Sequence, residues 1–521
     1  MRRALAGFVL WAVCAMPLSA QWSELTIGAE AEQYLRAMQL RGVWSGEALA
    51  IRPYGPQPVR RWMRDSVPAH PWSARFRADS GMVHLLRPMM MVNRTGGDFP
   101  WGFNDGALWQ GVGLTTAVSA GFAAHWRWVS LRLEPIFFRA QNADFTLAGD
   151  TTRGVNPFVD QMQPATIDVP QRFGRVPYQR VDLGQSELRV DLGPFAAGLS
   201  TMNQVWGPGM RHTLILTGNA PGIPRLFLGS SHAWRTPLGR FSGQLLYGKA
   251  APSGYEPSVQ VPDRLVSGLV VSWQPPSGRG LEIGGARFYH RFWPKGGFGL
   301  RDLTIPFGSF FQDAQVYSGG AADNQLASIF FRWRAENDGF EVYGEFGRTD
   351  RSIDMRDLAL EPEQNAAWLA GFTKLFGLSG PSFWLVRADV ANARIGSISR
   401  LSRGQSTFYD HTPITQGHTL RGQILGTYLL ERTGGLEVAV DHYARWGRVG
   451  GMLTQRAMPE DQHEGVLAAD ARSQWALEGS ATRFVGKHDL FMRAGWVLDV
   501  NRRPGADAAA RFLTLGTRLG Y

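Results

Sequence analysis

From about Met82 to the C-terminus the chain alternates apolar and polar side chains with a period of two. The clearest run is Asp489 to Val500, where Leu490, Met492, Ala494, Trp496, Leu498 and Val500 alternate with Asp489, Arg493, Asp499 and their neighbours. Leu436, Val438 and Val440 stand against Glu437, Asp441 and Arg445. Leu188, Val190 and Leu192 stand against Glu187, Arg189 and Asp191. The same holds for Trp384–Val390 around Arg387 and Asp389, for Ile329–Trp333 around Arg332 and Arg334, and for Phe340–Phe346 around Glu341 and Glu345. Period two places successive side chains on opposite faces, so these runs predict strands with one apolar and one charged face.

Such faces fit either a soluble sandwich or a transmembrane barrel. Three features favour the barrel. The runs are roughly 9–12 residues long, the length a tilted strand needs to cross a bilayer. Aromatics recur near their ends, as at membrane interfaces. The chain closes on Leu513, Leu515, Thr517, Leu519 and Tyr521, an alternation that ends on an aromatic. Roughly 18 runs are counted between Val83 and Tyr521, an even number as in single-chain bacterial barrels. Connections at Gly434-Gly435 and Asn337-Asp338-Gly339 read as short. Those over 141–185, 291–325, 349–364, 392–419 and 446–471 read as long. No internal repeat is visible.

Before Met82 the period differs. Ala29 to Arg41 is built of helix formers, with Tyr34, Leu35, Met38 and Leu40 on one side and Gly42 as a C-cap. A second short helix is expected near Pro56, with Val59, Trp62 and Met63 on one side. Helices this short need a surface to pack on, and a barrel mouth would provide one. The first twenty residues, with Arg2, Arg3, an apolar run from Ala4 to Leu18 and small Ser19 and Ala20, read as a secretory signal peptide. The expected organisation is therefore 1–20 signal peptide, 21–80 a helical periplasmic region, and 81–521 an all-β, large antiparallel transmembrane barrel.

Composition adds limits. Glycine (62) and the aromatics (30 Phe, 19 Trp, 12 Tyr) suit tight turns and aromatic girdles. Cys14 leaves with the signal, so the mature chain has no disulfide, no cysteine metal site and no thiol nucleophile. The net charge of +10 falls to +8 without Arg2 and Arg3. It is scattered, which argues against nucleic acid in an exported protein and suits acidic polysaccharide or lipopolysaccharide.

The most shaped stretch is Met202–Ser231, MNQVWGPGMRHTLILTGNAPGIPRLFLGSS. Gly207, Pro208, Gly209, Gly218, Pro221, Gly222 and Pro224 predict a rigid segment. Trp206, Arg211, Asn219 and Arg225 are the candidate polysaccharide-binding residues, since an aromatic face stacks on a sugar ring while guanidinium and amide groups bind its oxygens. Trp206 also reads as simple packing, and the charged inner faces as ladders that satisfy one another or as a path for an anionic polymer. No Gly-x-Ser-x-Gly, HExxH or phosphate loop is present. His290, His411, His418 and His442 lack metal-ligand spacing, so neither a cofactor nor a metal is expected.

Several segments carry a resemblance. YLRAMQLRGV with IRPYGPQPV and HPW, then VWGPGMRHTLILTGNAPGIPRLFL, and Phe408-Tyr409-Asp410-His411 followed by QGHTLRGQILG are similar to segments of the Wzi family of capsule-assembly outer-membrane proteins. The resemblance spans nearly the whole mature chain. It implies an 18-stranded outer-membrane barrel, a helical part at the periplasmic mouth, an extracellular side closed by loops, and a non-enzymatic surface lectin that tethers nascent capsular polysaccharide. Where the family commonly carries a second Asn before Asn219, this chain has Gly218. Expected partners are surface polysaccharide, outer-membrane lipid and lipopolysaccharide, and the barrel-insertion machinery. A porin or solute channel shares every scaffold feature and is the alternative reading. An outer-membrane enzyme using His212 is a further rival.

Overall fold

The computed structural model describes residues 26–43, 50–55, 72, 82–148, 158, 167–255, 262–278, 280–308, 323–335, 338–349, 365–393, 408–411, 414–431, 433–457, 472–503 and 505–520. The signal peptide, the second helix expected near Pro56 and the terminal Tyr521 lie outside the described residues.

The wall strands form one closed antiparallel barrel, and two short pairs, Ile51–Arg52 with Val205–Trp206 and Thr419–Leu420 with Gln423–Ile424, are not part of its wall. Each wall crossing pairs with the next wall crossing in chain order, and the last wall strand, Ala506–Arg518, pairs with the first, Val83–Gly97. Three crossings are interrupted: Val129–Leu133 with Ile136–Ala140, Tyr178–Asp182 with Glu187–Leu192, and Arg225–Ser230 with Trp234–Thr236. Joining each pair leaves eighteen crossings. Closure removes the unpaired edges that an open sheet would expose.

Two ends are distinct. Turns of two residues at 127–128, 193–194, 445–446 and 486–487 lie at one end, together with the start of the first strand and the end of the last. Connections such as 98–112, 141–177, 201–224 and 393–433 lie at the other. Short periplasmic turns and long extracellular loops are the barrel asymmetry. Two boundaries differ from the sequence reading. Gly434 and Gly435 are not a turn but the first residues of the strand Gly434–Ala444, and the turn falls at Arg445-Trp446. Arg445 is therefore exposed in that turn and does not face the bore. The strands Tyr178–Asp182 and Gly447–Ala457 also lie inside stretches read as loops. Gly447–Ala457 is glycine-rich and alternates weakly, and Tyr178–Asp182 is only five residues long, which hides the period in both.

The alternation otherwise maps onto the wall as expected. Leu436, Val440, Trp384, Leu477, Met492, Trp496, Leu513 and Leu515 are exposed on the outside. Arg189, Asp191, Arg332, Arg334, Arg387, Asp389, Glu437 and Asp441 are buried inside. The outer face meets hydrocarbon and the inner face carries the charge.

The bore is filled. The helix Glu30–Leu40 lies inside the short-turn mouth. It ends in a Schellman cap: Gly42 takes φ +71°, its N–H bonds Gln39 O at 3.1 Å, and the Val43 N–H bonds Met38 O at 3.2 Å. The helix is buried nearly all round, Glu32, Arg36 and Gln39 included, because the barrel wall surrounds it. Tyr34 stacks on Trp72 with ring centroids 4.3 Å apart, against Phe383 and Tyr443 of the wall. From the long-loop end, residues 205–223, 408–411 and 414–430 fold inward. There Trp206, Leu214, Ile215, Leu216, Tyr409 and Tyr428 pack with Phe288, Phe330 and Leu369 of the wall into one buried cluster.

Candidate functional site

Two inward segments meet in the bore, and charges cross-link them. Arg36 of the helix donates from Nε to Glu341 of the wall at 2.9 Å and from Nη2 to Pro208 O at 2.8 Å. Arg52 bonds Glu32 at 2.7 Å and also donates to Gly209 O. The Trp-Gly-Pro-Gly turn is thus held from below by two buried arginines, and Gly207 takes φ +137°, which a side chain would resist.

Between the helix N-terminus and this turn lies a cavity of about 210 Å³, lined by Glu30, Phe103, Asp105, Arg211, Gly218, Glu478 and Arg493 among others. Deeper in its wall, Arg448 pairs with Glu30 (2.7 Å) and Asp441 (2.6 Å), and Arg387 pairs with Asp441 (2.9 Å). Two guanidiniums stay accessible. Arg211 pairs with Glu437 at 2.8 Å with its side chain 22% exposed. Arg493 contacts Asp105 at 3.2 Å and Glu478 at 3.1 Å, 27% exposed. Burial works against the Arg211 charge, but Glu437, Tyr428 and Glu478 outweigh it and hold its pKa above the ordinary arginine value. The cavity therefore offers fixed cations with spare N–H groups, suited to carboxylates or sugar hydroxyls.

The four sequence candidates fall in different places. Trp206 is fully buried. Its Nε1–H reaches Gln244 at 3.3 Å, and its ring lies over Gly268, where a Cβ would stand 2.8 Å from Cζ3. Phe288 meets it edge-on at 6.3 Å. Asn219 is a linchpin of the loops: its Oδ1 accepts from the Asn104 N–H (3.1 Å) and its Nδ2 donates to Ile424 O (3.0 Å). Arg225 donates to Met202 O (2.7 Å) and Ile223 O (3.1 Å), which closes the base of the inward loop. Only Arg211 of the four opens on the cavity. At Gly218, which also lines it, a Cβ would stand 3.1 Å from Ile27 Cγ2, so the missing side chain lets the N-terminal segment approach.

His212, Asp389 and Glu437 bring ligand-type atoms within 4.8 Å of one another. Most of their polar atoms already meet protein partners. His212 Nδ1 meets Thr427 Oγ1 at 2.8 Å and Nε2 lies 3.2 Å from Glu437. Glu437 also accepts from Arg211 and from the Tyr428 hydroxyl, and Asp389 accepts from the Tyr343 hydroxyl. The trio reads as a hydrogen-bonded anchor between inward loop and wall rather than an open metal site.

A second anchor joins His290 of the wall to His418. His418 Nε2 donates to Ile215 O at 2.7 Å, since a carbonyl only accepts. Its Nδ1 must then accept from His290 Nε2 (2.8 Å), and His290 Nδ1 accepts from Arg264 (3.3 Å). Both imidazoles are thereby neutral, and burial lowers the His418 pKa to about 3. The sequence gives no spacing by which this pair, or the clamp by Arg36 and Arg52, could be found.

Comparison with known proteins bears on this arrangement. No curated protein sequence matches the chain. Among solved structures, Wzi of Escherichia coli, described as an outer-membrane protein involved in group 1 capsule assembly and a carbohydrate-binding β-barrel, superposes with a TM-score of 0.65 at 14% identity. The match covers 96% of this chain and 100% of that one. Pseudomonas aeruginosa OpdK matches at a TM-score of 0.40 and 10% identity over 84% of this chain and 99% of its own. A BenF-like porin of Pseudomonas fluorescens gives 0.40 and 9% over 85% and 100%. The sequence model of the capsule assembly protein Wzi family matches residues 106–445, which holds both inward loops and the wall that grips them. The chain belongs to the capsule assembly protein Wzi family.

Proposed function

We propose that this protein is a non-enzymatic outer-membrane polysaccharide-binding protein that attaches and organises capsular or related surface polysaccharide. The filled bore carries this reading. A solute channel needs a continuous wet path, whereas the buried cluster from Trp206 to Leu430 occupies the middle of this barrel. A barrel closed in this way is a platform, and membership of a capsule-assembly family supplies the class of ligand.

Within the candidate residues, Arg211 is the one we assign to ligand contact, with Arg493 beside it in the same cavity. Trp206, Asn219 and Arg225 act by fixing the segment that carries Arg211. His212, the base an enzymatic rival would need, is fully buried and spent on Thr427 and Glu437. Contacts with outer-membrane lipid, lipopolysaccharide and the insertion machinery belong to the same reading.

A glycan array probed with detergent-purified protein tests it, beside capsule retention in a deletion strain carrying the gene. Binding to acidic polysaccharide and restored retention are expected. A large steady current in planar bilayers, with no glycan bound, would overturn it in favour of a channel.

A further inference from the structure

We propose that the outer wall of the barrel carries a binding site for the phosphorylated headgroup of an outer-leaflet glycolipid, built by Arg94, Arg511 and Arg139. The proposal rests on the membrane placement of the barrel and gives the lipid contact named above a site, which lies on the lipid side of the wall and is separate from the polysaccharide-binding cavity.

All three arginines occupy outward positions and are exposed. Arg94 follows the lipid-facing Met90 and Val92 on the first strand. Arg511 precedes Leu513 and Leu515 on the last strand, and Arg139 follows Phe137. They sit at the long-loop end. Arg94 faces Leu114, the second residue of its strand, and Arg139 faces Thr116 two positions further along. Each is thus at the outer-leaflet margin of the apolar belt. Trp496 stands directly opposite Arg511 and is exposed, in the place where an indole marks the headgroup level.

The register brings the charges together. Arg511 pairs with Gly96 while Arg94 pairs with Leu513, so the two arginines are diagonal neighbours on one face. The absent side chain of Gly96 makes room: a Cβ there would lie 3.9 Å from Arg511 Nε, so the Arg511 stem crosses toward the strand of Arg94. Arg139 is the next cation on that face, beyond the strand Gly113–Trp126.

Among the described residues none of the three has a hydrogen bond or ion pair. The nearby Asp98 turns its carboxylate to the Ala509 N–H at 3.0 Å. The wall treats another outward arginine differently. Arg287 is covered by the segment 300–308 and donates to Gly308 O (2.9 Å) and Gln325 (2.9 Å). Like charges side by side at a lipid surface repel and lose hydration, so unpaired neighbours call for an anion. A guanidinium pair matches phosphate oxygens in geometry as well as charge. In this leaflet the phosphate belongs to a lipid headgroup held at the depth of the arginines.

The test uses the full protein in mild detergent with lipid A bearing its phosphates, and with the same lipid dephosphorylated. Bound lipid is counted by native mass spectrometry, and the thermal midpoint is followed. The wild type should retain the phosphorylated lipid and gain thermal stability from it. Arg94→Gln with Arg511→Gln should weaken retention by about tenfold or more, Arg139→Gln by less, and Arg483→Gln, near the periplasmic turns, not at all. Heat-modifiable gel migration reports that each variant is folded, and either single variant gives the same reading should the double variant fail to insert. Equal retention by the folded Arg94 and Arg511 variants, equal retention of dephosphorylated lipid, or complete displacement by inorganic phosphate would overturn the proposal.

Discussion

Arg36 of the N-terminal helix donates its Nε–H to Glu341 of the barrel wall across 2.9 Å, 305 residues along the chain. The pair is fully enclosed, and the other arm of the same guanidinium holds the Pro208 carbonyl. One side chain therefore joins the periplasmic mouth, the wall and the inward loop.

Replacing Arg36 by Met should release that joint. Breaking a buried pair from one side costs roughly 3 kcal/mol, although Arg332, 2.7 Å from Glu341, limits the loss. The barrel should still insert and run heat-modifiably. Limited proteolysis of outer-membrane vesicles should then release the N-terminal segment much faster than in the wild type. Unchanged proteolysis would show that the helix is held elsewhere.

Trp206 tests packing against ligand contact. Trp206→Ala opens a large void against Gly268 and Phe288 and should destabilise the inward loop by about 3–5 kcal/mol. Gly268→Ala, which drives a methyl group toward the indole, should cost about 1–3 kcal/mol. Both should raise single-channel noise in planar bilayers by loosening the loop. Glycan affinity lost in Trp206→Ala but kept in Gly268→Ala would instead make the indole a contact.

Arg211→Ala should leave thermal unfolding little changed, because the side chain is partly open and Glu437 keeps His212 and Tyr428. Affinity for an acidic oligosaccharide should fall by about tenfold, near 1.4 kcal/mol. Arg211→Lys should recover part of it, since one ammonium cannot reproduce the planar fork. Titration calorimetry with purified protein reads both.

Acid should loosen the inward loops through His418. Its folded pKa of about 3 lies below the ordinary histidine value of 6.5. The unfolded chain therefore binds the extra proton over that interval. Stability is full above pH 6.5 and falls as the pH drops from 6.5 toward 3. A proton on Nδ1 would also set two N–H groups against each other at His290, with Arg264 close by. Planar-bilayer current should rise across this window, and His418→Gln should flatten its pH dependence. The same acid response in that variant would place the titration elsewhere.

The period of two determined the barrel. Leu490 to Val500 or Leu436 to Val440 need only local geometry to put apolar side chains outward, because in a strand the face of each residue follows from its parity. The helix Glu30–Leu40 was readable for the same local reason, through its composition and Gly42. What fills the bore was decided only in three dimensions. Trp206 looks like an exposed aromatic in a Gly- and Pro-rich loop, yet the loop turns inward and the indole meets Gly268 from a strand some sixty residues away in the chain. Arg225 and Asn219 likewise spend their polar groups on backbone carbonyls and amides brought near by folding. Whether an arginine binds a ligand, braces a loop or faces lipid depends on which partners reach its guanidinium, and those partners come from strands distant in sequence, so no local pattern can encode them.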